Sequence, residues 1–188
     1  MMNFKLQPKG DISNRLIEMG FEDFEGVTDW VRNLPYERIS DKKNIGLTIT
    51  ENRGTCGSKH AFLKTIAEEQ EQYQITLFIG VFKMSPANTQ GISSILTQHN
   101  LQYIPEAHCY LKFEGKRYDF TSPTLELEKI EAVLMEELEV QPNQIAGFKT
   151  RYHRHFIQKW LDKEGMNKTL NKIWEAREAC IQRLSNIF

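Results

Sequence analysis

The sequence predicts an α+β fold, with one antiparallel sheet and helices before, against and after it. Three observations predict it. Residues 73–84 are dense in β-branched and aromatic side chains and read as a strand. Residues 102–113 and 116–121 alternate in character around Glu114-Gly115, as the arms of a hairpin do. Between and around these, apolar residues recur at helical spacing, most clearly Ala61, Phe62, Leu63, Ile66 and Ala67.

The elements follow in order. Asp11-Ile12-Ser13-Asn14 offers caps for a short helix through Met19, stopped by Gly20. Residues 21–33 form a second helix, ended by Pro35. Residues 36–52 read as a short strand or a loop. Gly54-Thr55 is a turn, and a helix runs from Cys56 to about Gln72. The strand at 73–84 is broken by Ser85-Pro86-Ala87-Asn88, and 89–100 is helical. After the hairpin and Ser122-Pro123-Thr124 come an acidic amphipathic helix at 125–140, a basic helix at 142–161 and a closing helix at 167–186. The chain is read as a single domain, 1–188, with its core at about 21–124. Residues 125–188 form a C-terminal helical extension packed on that core.

Composition limits the function classes. A chain of 188 residues has room for one well-buried core and is short for two. A net charge of −1 with 40% hydrophobic residues calls for neither nucleic acid nor an anionic membrane as partner. No apolar run approaches the roughly 18 residues of a membrane span, and the start lacks a signal-peptide core. Three cysteines without framework spacing suggest free thiols, so a cytoplasmic location is expected.

The chemistry centres on Arg53-Gly54-Thr55-Cys56-Gly57-Ser58-Lys59-His60. A cysteine in the first turn of a helix faces unpaired N–H groups and the positive end of the macrodipole, which favour thiolate over thiol. The hairpin can supply its partners. With Glu114-Gly115 as the whole loop, Phe113 pairs with Lys116 and Leu111 with Tyr118. Cys109, Leu111, Phe113, Tyr118 and Phe120 then share an apolar face, and His108, Tyr110, Lys112, Arg117, Asp119 and Thr121 a polar one. In that register His108 lies diagonal to Asp119, about 7–8 Å apart at the backbone, a gap that two side chains close.

Gly54-Thr55-Cys56 with Ala61 behind it, Ala107-His108 opening a strand, and Tyr118-Asp119-Phe120-Thr121 together resemble the transglutaminase-like superfamily of papain-like cysteine enzymes. The resemblance covers roughly residues 45–124. It implies an antiparallel sheet with the nucleophile helix packed on it, with Cys56 as nucleophile, His108 as base and Asp119 as the orienting carboxylate. The sequence departs from the family pattern in three places. Ala61 follows the cysteine by five positions rather than four, Tyr110 stands where tryptophan is more usual, and Phe120 replaces a proline. The implied reaction is a thioester at Cys56 formed from an amide or peptide carbonyl and resolved by water or an amine. No cofactor is implied, and the partner expected is the peptide or amide substrate. The Cys56 N–H would meet the oxyanion, with Asn52, Gly57, Tyr110 or a side chain from residues 29–36 as further oxyanion or substrate contacts.

Other readings stand beside this one. A catalytically silent member of the fold would bind a peptide or partner protein, and a buried Cys56 or a sulfur turned from His108 would favour it. Cys56, His60 and His108 could converge as metal ligands, but zinc sites use tighter spacings, so no metal is expected. Cys109 and Cys180 read as core. His153 and His155, two apart, face different sides of a helix. The basic run Lys149, Arg151, Arg154 and Lys159 reads as a solvated face ahead of a substrate-carboxylate or nucleic-acid role.

Overall fold

The computed structural model describes residues 2–185. It is a mixed α+β structure around a four-stranded antiparallel sheet. The elements are α1 (Asp11–Glu18), α2 (Phe24–Asn33), α3 (Leu47–Thr50), α4 (Cys56–Glu69), β1 (Thr76–Met84), α5 (Ser93–Gln98), β2 (Ile104–Phe113), β3 (Lys116–Tyr118), α6 (Leu127–Glu131), β4 (Leu134–Val140), a 3₁₀ turn (Pro142–Ile145), α7 (Phe148–Glu164) and α8 (Leu170–Leu184). The strand order is β3-β2-β1-β4. No helix of the described residues is long and apolar enough to cross a membrane.

The hairpin has the predicted register: Phe113 pairs with Lys116, Lys112 with Arg117 and Leu111 with Tyr118. Glu114 and Gly115 both carry positive φ (48° and 75°), the tight turn whose twist matches that of the strands. Helix α1 begins with another device. Its cap position is Gly10, not a residue of the predicted Asp11–Asn14 group, and the Glu69 carboxylate at the end of α4 accepts the Ile12 and Ser13 N–H groups at 3.1 and 2.7 Å.

Two predicted elements differ. Residues 36–52 contain neither a strand nor only loop; Leu47–Thr50 is a single helical turn. More consequentially, the predicted acidic helix at 125–140 is a short helix followed by a strand. Leu134–Val140 forms β4, pairing antiparallel with β1 from Leu77↔Val140 to Phe82↔Leu134. Its Leu, Met and Glu residues are helix formers, but the unpaired edge of β1 offers backbone partners and a face to cover, which outweigh local propensity. The stretch after residue 124 is therefore part of the sheet as well as a set of helices. The closing helix, predicted through Asn186, is α8; Asn186 lies outside the described residues.

Apolar side chains cover both faces of the sheet. On one, Leu77, Ile79, Val81, Cys109, Leu111 and Val140 meet α4 (Phe62, Leu63, Ile66) and α2 (Phe24, Val27, Val31). On the other, Phe82, Met84 and Ile104 meet α5 (Leu96), α7 (Ile157, Trp160, Leu161) and α8 (Ile173, Ala176, Cys180). The second face is the one predicted to be polar. It carries His108 and Tyr110, and both are buried. Helix α4 is the most enclosed element, buried from Cys56 through Lys64.

Gly80, in the middle of β1, pairs with His108 on one side and Glu137 on the other. The Tyr110 hydroxyl crosses above it to donate to Glu137. A Cβ at Gly80 would stand 2.6 Å from that hydroxyl and 2.8 Å from Leu134 Cδ1. Gly80→Ala is therefore expected to destabilise the fold by about 1–3 kcal/mol through overpacking. A lowered urea midpoint at unchanged m-value would show it.

Candidate active site

Cys56 opens α4. Thr55 before it is extended (φ −86°, ψ 172°), and Ser58 Oγ accepts the Thr55 N–H at 2.8 Å, closing a capping box. Gly54 is held by its N–H to the Pro35 carbonyl at 3.1 Å. It has to be small, since a Cβ there would stand 2.8 Å from Lys59 Cγ. Lys59 runs beneath it, fully buried, and donates to the Leu34 and Thr121 carbonyls at 2.6 and 2.7 Å. Burial pushes its amine down to about 8, against the pull of Asp119 and Cys56.

The meeting of Cys56 with His108 depends on the edge of the sheet. Helix α4 packs on the face that carries Cys109, whereas His108 points to the other face. However, β3 covers only Leu111, Lys112 and Phe113 of β2, and no strand pairs with the rest of that edge among the described residues. The Cys109 thiol and the His108 ring are both among the groups that act on the Cys56 sulfur and lower its pKa. His108 Nε2 is bonded to Asp119 Oδ2, which leaves Nδ1 for the sulfur. Asp119 is off the end of β3, and its Oδ1 accepts the Thr121 N–H at 2.7 Å.

His60, one turn after Cys56, braces this arrangement. The Phe120 N–H donates to His60 Nε2 at 2.8 Å, so the ring proton is on Nδ1, which donates to the Cys56 carbonyl at 2.8 Å. Burial keeps His60 neutral by lowering its pKa. Both nitrogens are engaged, so this side chain serves the backbone around Asp119, in contrast to the ligand grouping of Cys56, His60 and His108 weighed from the sequence. With Lys59 on the Thr121 carbonyl, α4 holds the whole Asp119–Thr121 segment against Cys56.

The electrostatics favour an ion pair. The Cys109 hydrogen bond lowers the Cys56 pKa well below the ordinary thiol value, against burial and with help from the Lys149 and His108 charges. Burial opposes charging of His108, but Asp119 and Cys56 more than offset it, and its pKa rises to about 10. Burial likewise opposes ionisation of Asp119, and the His108 charge and bond hold it below the usual carboxylate range. Burial and the neighbouring sulfur push Cys109 up, so it stays a thiol and donates.

Of the other predicted contacts, Gly57 lines the cavity before Cys56, where its missing side chain makes room for Ile145: a Cβ would stand 2.9 Å from Ile145 Cγ2. Asn52 does not line it; it is an exposed turn residue with φ 50°. Tyr110 is engaged by Glu137 on the sheet. Two groups reach the sulfur instead. Lys149 Nζ, from the first turn of α7, lies 3.5 Å from Cys56 Sγ, and the Tyr36 hydroxyl hydrogen-bonds it. Lys149 thus leaves the basic run that was read as a solvated face, and His153 of the same helix is buried with Nε2 on the Pro105 carbonyl at 2.7 Å. Tyr36 belongs to the 29–36 region named from sequence; nothing local marked Lys149.

A cavity of about 360 Å³ opens before Cys56, and another of about 340 Å³ lies on the His108 side, with Tyr36 and Ile181 lining both. Cys56 is 3% exposed and His108 6%, and these cavities lie against the pair. Fold and site thus define an α+β chain with a buried cysteine–histidine–aspartate cluster at a free sheet edge. The chain matches no family model, and no curated protein or solved structure matches it significantly.

Proposed function

We propose that this chain is a transglutaminase-like thiol enzyme that forms a thioester at Cys56 from an amide or peptide carbonyl. The observation that carries the reading is His108 with Nε2 on Asp119, its pKa raised by both Asp119 and the Cys56 sulfur. In the first half-reaction the thiolate attacks the carbonyl carbon and an S–C bond forms. The negative oxygen faces the Cys56 N–H at the start of α4, with Lys149 and Tyr36 in reach of the same atoms. As the C–N bond breaks, His108 gives its proton to the departing nitrogen. Water or an amine then attacks the thioester, His108 takes its proton, and the C–S bond breaks to restore the thiolate. Asp119 keeps the imidazole oriented throughout.

The burial of Cys56 favours a second reading, a catalytically silent domain that binds a peptide or partner protein. Alkylation of Cys56 by iodoacetamide as a function of pH, in wild type and His108→Ala, separates the two. The enzyme reading expects wild type to react well below pH 8 and the variant to lose that low-pH reactivity. A thiol titrating near the unperturbed value of about 8.5 in both proteins overturns it in favour of the binding reading.

A further inference from the structure

The charge around the cavity before Cys56 is one-sided. Arg38, Lys42, Lys149 and Arg177 line it, and Glu178 is the single carboxylate among the lining residues. The two arginines are neutralised. Arg177 makes a bidentate pair with the buried Glu106 (2.8 and 2.6 Å) and a bond to Glu178, which also takes Arg38 at 2.6 Å. The two lysines have no carboxylate within ion-pair distance among the described residues. Lys42 has no hydrogen-bond or ion-pair partner among the described residues, and its pKa is lowered by partial burial and by the positive charges of Arg38, Lys149 and Arg177. Lys149 Nζ lies 3.5 Å from the Cys56 sulfur, its counter-ion.

We infer that this cavity takes an acyl substrate bearing an anionic group, a carboxylate or a phosphate, seated against Lys42 and Lys149. The inference rests on the thiol-enzyme reading and names its substrate class. When the sulfur is acylated its negative charge is gone, and Lys149 loses its counter-ion just as the acyl group arrives. An anion carried on that group restores neutrality, so the site's preference for it is greatest in the acylated state. A volume of about 360 Å³ is at the small end of ligand sites, which suits a metabolite-sized acyl group rather than a folded protein surface.

The test compares iodoacetate, which is anionic, with neutral iodoacetamide as alkylating agents of Cys56 in the full chain at low ionic strength. Lys42 is exposed at the cavity mouth, so Lys42→Gln and Lys42→Glu should leave the fold and the iodoacetamide rate intact. The iodoacetate-to-iodoacetamide rate ratio is expected to fall about fivefold in Lys42→Gln and further in Lys42→Glu. Added salt should shrink the difference. A ratio equal in all three proteins overturns the inference. The iodoacetamide pH profile reports separately on the thiolate, so a lost anion preference with a reactive Cys56 defeats this inference alone. Protection of wild type by malonate at lower concentration than inorganic phosphate assigns the anion as a carboxylate, and the reverse order as a phosphate. Protection by neither overturns the anion site.

Discussion

Asp119→Asn is expected to reduce Cys56 alkylation by iodoacetamide at pH 6 by about a hundredfold, since each unit by which the thiol pKa climbs back costs tenfold in thiolate. The loss follows from hydrogen-bond bookkeeping. In wild type both carboxylate oxygens accept, one from Thr121 N–H and the other from His108 Nε2. An amide has one acceptor and one donor end. If its oxygen stays on Thr121, its NH₂ faces His108 and drives the ring proton to the other nitrogen, leaving a donor where the proposed mechanism needs a base. If the amide is flipped, the Thr121 N–H is unpaired. Either way the charge that raises His108 from 6.5 to about 10 is gone.

The same substitution has a pH signature in stability. His108 has a raised folded pKa, so its contribution is fully present below 6.5 and is lost as pH rises through about 10. Asp119 has a depressed one, so its contribution is present above 3.8 and is lost as pH falls through its lowered folded value. The urea midpoints of wild type and Asp119→Asn should therefore differ most between about pH 4 and 6.5 and converge toward pH 10. A gap that is constant across this range would deny the ion pair.

Glu106→Ala is expected to be the most destabilising single change near the site, at about 3–5 kcal/mol. Glu106 is on β2 two residues before His108, 5% exposed, and its bidentate bond to Arg177 ties α8 to the sheet. Removing it leaves a guanidinium confined between the sheet and Trp174, with Glu178 as its remaining carboxylate. The unfolded chain has no such cost because the arginine is then in water. Replacing both partners with apolar residues, Glu106→Leu with Arg177→Met, is expected to recover most of the loss, since neither charge is then buried. Urea titration of the three variants measures this. If the double variant is as unstable as the single, burial of the arginine charge is not the cause.

Several features were legible locally. Glu114-Gly115 is short enough to force one register, and that register predicts the His108–Asp119 pair the structure contains. The Gly54-Thr55 turn and the apolar spacing behind Cys56 mark a helix start that is found at that residue. Cys180 at helical spacing with Ile173 is core, as read. Cys109 is core too, but its thiol also reaches the Cys56 sulfur, which strand alternation alone did not reveal.

Other features depended on partners far away in the chain. Leu134–Val140 has the composition of a helix and becomes a strand because β1 has an edge to fill. His108 and Tyr110 lie on a face that looked polar, yet helices formed from residues 93–184 cover it. Lys149 stands 93 positions from Cys56, and its arrival at the sulfur depends on how α7 follows β4. Turns, strand alternation and helix starts are set by neighbouring residues, so the sequence alone determined the helix that Cys56 opens and the hairpin that aligns His108 with Asp119. Which groups gather around the sulfur, and what closes over it, is decided by burial and charge pairing between distant segments, and only the tertiary structure brings those together.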